Sequence, residues 1–174
     1  MKKNLSQDIV NSVTQLLGRS PKGLYDVCRY NIDNQPAVIK VLPLVDEKPF
    51  PTLYWLCCPL LKKEISHLEK NGLIKEIEQK VFIENNAMLE NLKVDHQRYQ
   101  DQRVDLLKEE KIPYEHLDDG MKEVIFKSGI AGIMDWNHIK CLHTHYAQHA
   151  ADFNTIGQYL DDNFQLNRFL QPKK

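Results

Sequence analysis

Apolar residues recur at helical spacing near the start of the chain, where Ile9, Val10, Val13, Leu16 and Leu17 share one face. With Asn4 or Ser6 as cap and Gly18 as stop, the pattern predicts an amphipathic helix over residues 4–17. The period then changes. LYDVCRY (24–30) and PAVIKVL (36–42) are β-rich runs separated by NIDNQ, which predicts an antiparallel hairpin with Pro36 at a strand start or edge. DEKPFPT reads as loop, because Pro49 and Pro51 remove two backbone donors and bias the residues before them to extended geometry. TLYWLCC after it has the composition of a buried strand. Helical spacing returns at Pro59, which suits a first helical position: Leu61, Ile65 and Leu68 align until Asn71-Gly72 provides a stop.

From Leu73 to about Lys111 the composition is strongly helical, with a break expected near Glu84-Asn85-Asn86. Leu89, Leu92, His96, Tyr99, Arg103 and Leu106 alternate spacings of three and four, the seam of a short coiled coil. Short seams of this kind usually pack inside a domain; the other use would be a protein partner or a second copy of the chain docking on helix 85–110. Pro113 ends the region, Asp118 or Asp119 can cap a short helix to about Lys127, and GIAG (129–132) is a tight connection. Asn137 can cap a helix carrying WNHIKCLHTHYAQH (136–149). Together these elements predict an α+β fold over residues 1–174 as a single domain, with a small N-terminal antiparallel hairpin or sheet packed against a mainly helical C-terminal part.

Composition narrows the function. At 174 residues the chain can bury a core without metal or disulfide staples. Its net charge of -1 lacks the excess of Lys and Arg that phosphate backbones demand, so nucleic-acid binding is not expected. MKKNLSQDIVNSVTQLLG has no continuous apolar stretch, and no later segment reaches the length of a membrane span. A cytoplasmic location is therefore expected, with Cys28, Cys57, Cys58 and Cys141 as reduced thiols.

Four of the seven histidines fall in residues 136–149. On a regular helix His138, Cys141, His145 and His149 form one stripe beside an apolar face of Ile139, Leu142, Tyr146, Ala150 and Phe153. Cys141 with His145, or His145 with His149, is then spaced to ligate one ion, and further ligands must come from elsewhere. The alternative is a polar helix face with Cys141 as a small filler. At the other cysteine cluster, Cys57 and Cys58 should point to opposite sides of a strand end. Cys58 precedes a proline at a helix start, where the positive helix end favours a thiolate, which suits a nucleophile or a metal ligand.

LGRSP (17–21), PFPTLYWLCCP (49–59), GIAG (129–132), KCLHTHYA (140–147) and NTIG (154–157) together resemble the bacterial family catalogued as domain of unknown function 501, and they span most of the chain in that family's order. The resemblance implies a single bacterial domain and carries no established reaction. Its CP and KCLH patterns select Cys58, Cys141 and His143, with His145 at a less uniform position. The family tends to carry a cysteine in the first hairpin, and Cys28 stands close to that place. The helical stripe pairs Cys141 with His145, whereas the family pattern pairs it with His143. Placing Cys141 at or just before the helix start reconciles the two; a helix beginning at Asn137 would instead make His143 a supporting or catalytic group.

Three readings of function follow. Cys58, Cys141, His143 and His145 can hold a metal, for which thiolate and imidazole ligands favour zinc, with an iron–sulfur cluster as the alternative if three cysteines converge. Metal-free thiol chemistry would use Cys58 as nucleophile and His143 or His145 as base. A scaffold protein would use helix 85–110 and no cofactor. Arg19 and Arg29 could bind an anionic substrate, although single arginines more often make surface ion pairs.

Overall fold

The computed structural model describes residues 5–172. Ser6, in extended geometry, accepts the amide of Ile9, and Gly18 takes a left-handed φ of 71° just past Leu17, so helix α1 runs Gln7–Leu17. Asn4, the other expected cap, lies outside the described residues.

The two β-rich runs pair. Strand β1 (Leu24–Tyr30) lies antiparallel to β2 (Pro36–Val41), with Leu24 opposite Val41 and Tyr30 opposite Pro36. The segment read as loop holds a short ladder instead: β3 (Leu44–Val45) pairs with β4 (Lys48–Pro49) through Asp46 and Glu47, both at positive φ. Pro49 is tolerated because it ends this ladder, where a missing N–H costs little. Strand β5 (Tyr54–Leu56) comes from the TLYWLCC run and pairs with β2, giving the order β1-β2-β5. The central strand is apolar on both sides: Val38 joins the main core, while Ile39 and Val41 meet Val13 of α1 and Cys57.

Helix α2 (Pro59–Lys70) starts with its proline in the first turn, and the chain turns at Gly72, whose φ is 85°. Helix α3 (Leu73–Glu76), a π-helical turn (Ile77–Val81) and α4 (Phe82–Glu84) follow. The expected break falls at Asn85, which caps α5 (Asn86–Glu109) by accepting the amide of Met88. The seam of α5 faces this chain's own interior, with Leu92, His96, Tyr99 and Arg103 all 0% exposed. Its polar members fasten loops. The Tyr99 hydroxyl accepts the Leu53 amide at 2.6 Å, His96 Nδ1 accepts the Ile130 amide at 2.9 Å, and Arg103 donates to the carbonyls of Val124, Ser128 and Gly129.

Asp118 caps α6 (Asp119–Phe126), and GIAG forms a 3-10 turn with Ala131 and Gly132 at positive φ. The histidine stretch starts its helix at the later of the two expected places. Its helix, α7 (Leu142–Ala151), begins with Cys141 as N-cap, not at Asn137. Asn137 gives its amide and its side-chain N–H to the Asp135 carboxylate, making a turn of its own. Helix α8 (Thr155–Phe164) is capped by Asn154, and a last 3-10 turn (Leu166–Phe169) leads Leu170 to a bridge with Asn31. Helix α7 lies at the centre, packed on β5, α2 and α8, and nearly all its residues are buried. The architecture is α+β, as the pattern predicts. Among the described residues no helix is long and apolar enough to cross a membrane.

Candidate metal centre

Because α7 starts at Leu142, the expected stripe loses His138, and the four clustered histidines enter four environments. His138 stays in the preceding turn, half exposed, near Glu78 and Asp135. His145 is wholly buried, edge-on to His96 with ring centroids 5.7 Å apart, and burial pushes its pKa down to about 3. His149 gives Nε2–H to Asp161 Oδ2 at 3.1 Å, and its Nδ1 accepts the amide of Asn154. His143, in the first turn of α7, alone lies beside Cys141.

Cys141 has φ -160° and ψ 121°, the extended geometry of an N-cap, which places its sulfur at the positive end of α7. The sulfur is 3.7 Å from His143 Nδ1. Across from both, near the C-terminal end of α2, Glu69 brings Oε2 to 3.3 Å from the same Nδ1. The three ligand atoms of Glu69, Cys141 and His143 all lie within 4.8 Å of one another.

Each side chain is held from behind. The other Glu69 oxygen, Oε1, accepts the backbone amide of Leu142 at 2.6 Å. His143 Nε2 lies 3.1 Å from the Lys62 carbonyl oxygen and 3.2 Å from Ser66 Oγ. A carbonyl only accepts, so Nε2 carries a proton, and in the neutral form of the ring the lone pair falls on Nδ1. A histidine tied to a backbone carbonyl in this way is the usual support of a metal ligand.

The same contacts govern how the two groups titrate. Burial favours the neutral thiol of Cys141, but the His143 ring and the amide and hydroxyl of Thr144 outweigh it and draw the thiol below its ordinary range. Burial likewise disfavours the imidazolium of His143, yet the Cys141 sulfur, Glu69 and the Lys62 carbonyl hold its pKa up at about 9. Two groups able to carry negative charge thus converge on one nitrogen.

Of the four residues singled out in the sequence, the structure brings Cys141 and His143 together. Cys58 is the N-cap residue of α2, 1% exposed, with its side chain in the main core. Cys57 faces the other way, toward Val13 and Val41, and burial pushes its pKa up to about 12. Cys28 packs against the edge of the main core. Among the described residues, Cys141 is the cysteine that belongs to the group. Glu69 went unnoticed in the sequence, although a signal was there: it follows Leu61 and Ile65 at intervals of four, so it continues an inward row of α2 and places a carboxylate where an apolar residue would pack.

His143 and Thr144 also line a cavity of about 340 Å³. Arg19 reaches this cavity with its guanidinium 5.2 Å from the Trp55 ring, whereas Arg29 binds the carbonyl of Gln171 elsewhere.

A family model described as Protein of unknown function (DUF501) matches residues 27–162. No curated protein and no solved structure matches the chain.

Proposed function

This chain belongs to the DUF501 family, and we propose that it binds a single zinc-type divalent ion through Glu69, Cys141 and His143, leaving one position for water or a bound ligand. The spacing of the donors carries this reading. A tetrahedral zinc ion at about 2.0–2.1 Å from nitrogen and oxygen, and about 2.3 Å from sulfur, separates them by about 3.4 Å for N···O and about 3.6 Å for S···N. The corresponding distances are 3.3 Å and 3.7 Å. Thiolate, imidazole and carboxylate are zinc ligands, and three protein ligands with an open fourth position characterise sites that act on a bound water or substrate. Cys58 and His145 are left out of the set because both side chains are committed to the interior.

A second reading has one observation in its favour: the Cys141 sulfur lies 3.7 Å from His143 Nδ1, a pairing suited to nucleophilic attack without a metal. Glu69 separates the two. Its charge opposes the thiolate, which hinders a nucleophile but suits a cation shared by both anions. Glu69→Gln should weaken zinc binding at least tenfold, as measured by competition with a chromophoric chelator, and Cys141→Ser should abolish it. Undiminished zinc binding in both variants, or a wild-type protein that takes up no zinc while Glu69→Gln raises thiol reactivity, would move the assignment to the thiol reading.

A further inference from the structure

The cavity beside His143 has a composition unlike the surface around it. Its wall is mostly apolar and aromatic, with Phe50, Tyr54 and Trp55 supplied by the β4–β5 connection and β5. Two cations enter it, Arg19 and Lys62, and no aspartate or glutamate lines it. Arg19 rests on the face of Trp55, and Lys62 holds its ammonium on the Leu16 carbonyl at 3.2 Å; among the described residues neither makes an ion pair. Two cations without a carboxylate on an open, mostly apolar wall are complementary to an anion that carries an apolar body.

The origin of the wall points the same way. Apart from Lys62, every lining residue comes from the blocks LGRSP, PFPTLYWLCCP or KCLHTHYA. Three stretches separated by dozens of residues, each quoted above for the family resemblance, meet at this one cavity. Helix α1 sets Arg19 just past its Gly18 stop, Phe50 and Pro51 bring the chain along the rim, and α7 contributes His143 and Thr144 at its start.

We infer that this cavity binds a small amphipathic anion, a carboxylate or phosphate head on an aromatic or short acyl body, with the head between Arg19 and Lys62 and the body against Phe50 and Trp55. The inference rests on the metal-site reading only in making this molecule the ligand of the same site, since the cavity and its charges exist without the ion. A volume of about 340 Å³ suits a one-ring compound.

The test is calorimetric titration of metal-free protein with phenyl phosphate, beside benzylamine as the cation of similar shape and inorganic phosphate as the head alone. Phenyl phosphate should bind, benzylamine should bind at least a hundredfold more weakly, and inorganic phosphate at least tenfold more weakly. Arg19→Gln should weaken phenyl phosphate at least tenfold, with Arg19→Lys recovering part of the loss, and Trp55→Leu should weaken it severalfold. Arg19 is exposed, so its replacement leaves the core untouched. Absence of phenyl phosphate binding, equal binding of benzylamine, or indifference to Arg19→Gln would overturn the inference. Because the titration is run without metal, these results are independent of whether Glu69, Cys141 and His143 take up zinc in the chelator competition.

Discussion

His143 presents Nε2 to the Lys62 carbonyl oxygen at 3.1 Å, so a backbone atom of α2 decides which nitrogen of a side chain on α7 keeps its lone pair. Ser66 Oγ shares that nitrogen at 3.2 Å. Removing the hydroxyl in Ser66→Ala leaves the carbonyl in place, so the ring keeps its tautomer but loses one restraint. Outer partners of this kind are worth about 10–100-fold in metal affinity when they act alone. With the carbonyl retained, Ser66→Ala should weaken zinc by about tenfold or less in a chelator competition, far short of the loss in Cys141→Ser.

The four thiols should differ sharply in reactivity. Cys141 is partly exposed and favoured as the thiolate by His143 and Thr144, whereas Cys57 is 0% exposed with a pKa pushed up to about 12 and Cys58 is 1% exposed. Since the thiolate is the reacting species, iodoacetamide at neutral pH should modify Cys141 well before Cys57 or Cys58 in the folded protein, as read by peptide mass spectrometry. Saturating zinc should slow the Cys141 reaction at least tenfold. Equal labelling with and without zinc would count against Cys141 as a ligand.

Elements were legible where a local signal is decisive, and so were Cys141 and His143 of the candidate group, but not Glu69. Ser6, Gly18, Pro59, Asn71-Gly72 and Asp118 each act within a turn of chain, and the elements they bound lie where the pattern placed them. Asn137 looked like an equally good cap, but Asp135, two residues earlier, captures its amide and side chain. That competition moved the helix start to Cys141 and settled the choice of neighbour in favour of His143 over His145. The third member of the group comes from Glu69, more than seventy residues away, whose role depends on the packing of α2 against α7. Tyr99 and Arg103 likewise read as seam positions, and their hydrogen bonds to loops emerge only from the tertiary fold.

His96 makes the fold acid-sensitive. The ring is 0% exposed, stacked on Trp136, edge-on to His145 and fixed by the Ile130 amide on Nδ1. Burial is the main cause that pushes its pKa down to about 4 from the ordinary 6.5. Above pH 6.5 the ring is neutral in both the folded and the unfolded chain and contributes no pH dependence. Below it the unfolded chain takes up a proton that the folded one refuses, so stability falls as pH drops from 6.5 toward 4, by up to about 1.4 kcal/mol per unit. His96→Asn, whose side-chain oxygen can still accept the Ile130 amide, should unfold in urea with a visibly shallower dependence over this window. An unchanged slope would show that other groups set the acid limit.

Arg103 separates stability from the site. Its guanidinium is fully buried without a carboxylate partner, stabilised by the carbonyls of Val124, Ile125, Ser128 and Gly129 and by Ser128 Oγ, while burial lowers its pKa to about 10. It therefore ties the end of α6 and the loop after it to α5. Arg103→Met keeps most of the packing but takes the guanidinium donor from the Ile125 and Ser128 carbonyls, while Val124 keeps the Ser128 hydroxyl and Gly129 the Gly132 amide, and each buried acceptor left unpaired costs about 1–3 kcal/mol. A loss of at least about 2 kcal/mol in urea unfolding is expected, with Arg103→Lys recovering only part because one ammonium cannot span all five acceptors. Glu69, Cys141 and His143 sit on α2 and α7, outside this clamp. Zinc affinity of the folded Arg103→Met protein should then stay within about threefold of wild type, well under the tenfold that 1.4 kcal/mol represents. A larger loss would mean that the α6 loop helps to shape the metal centre.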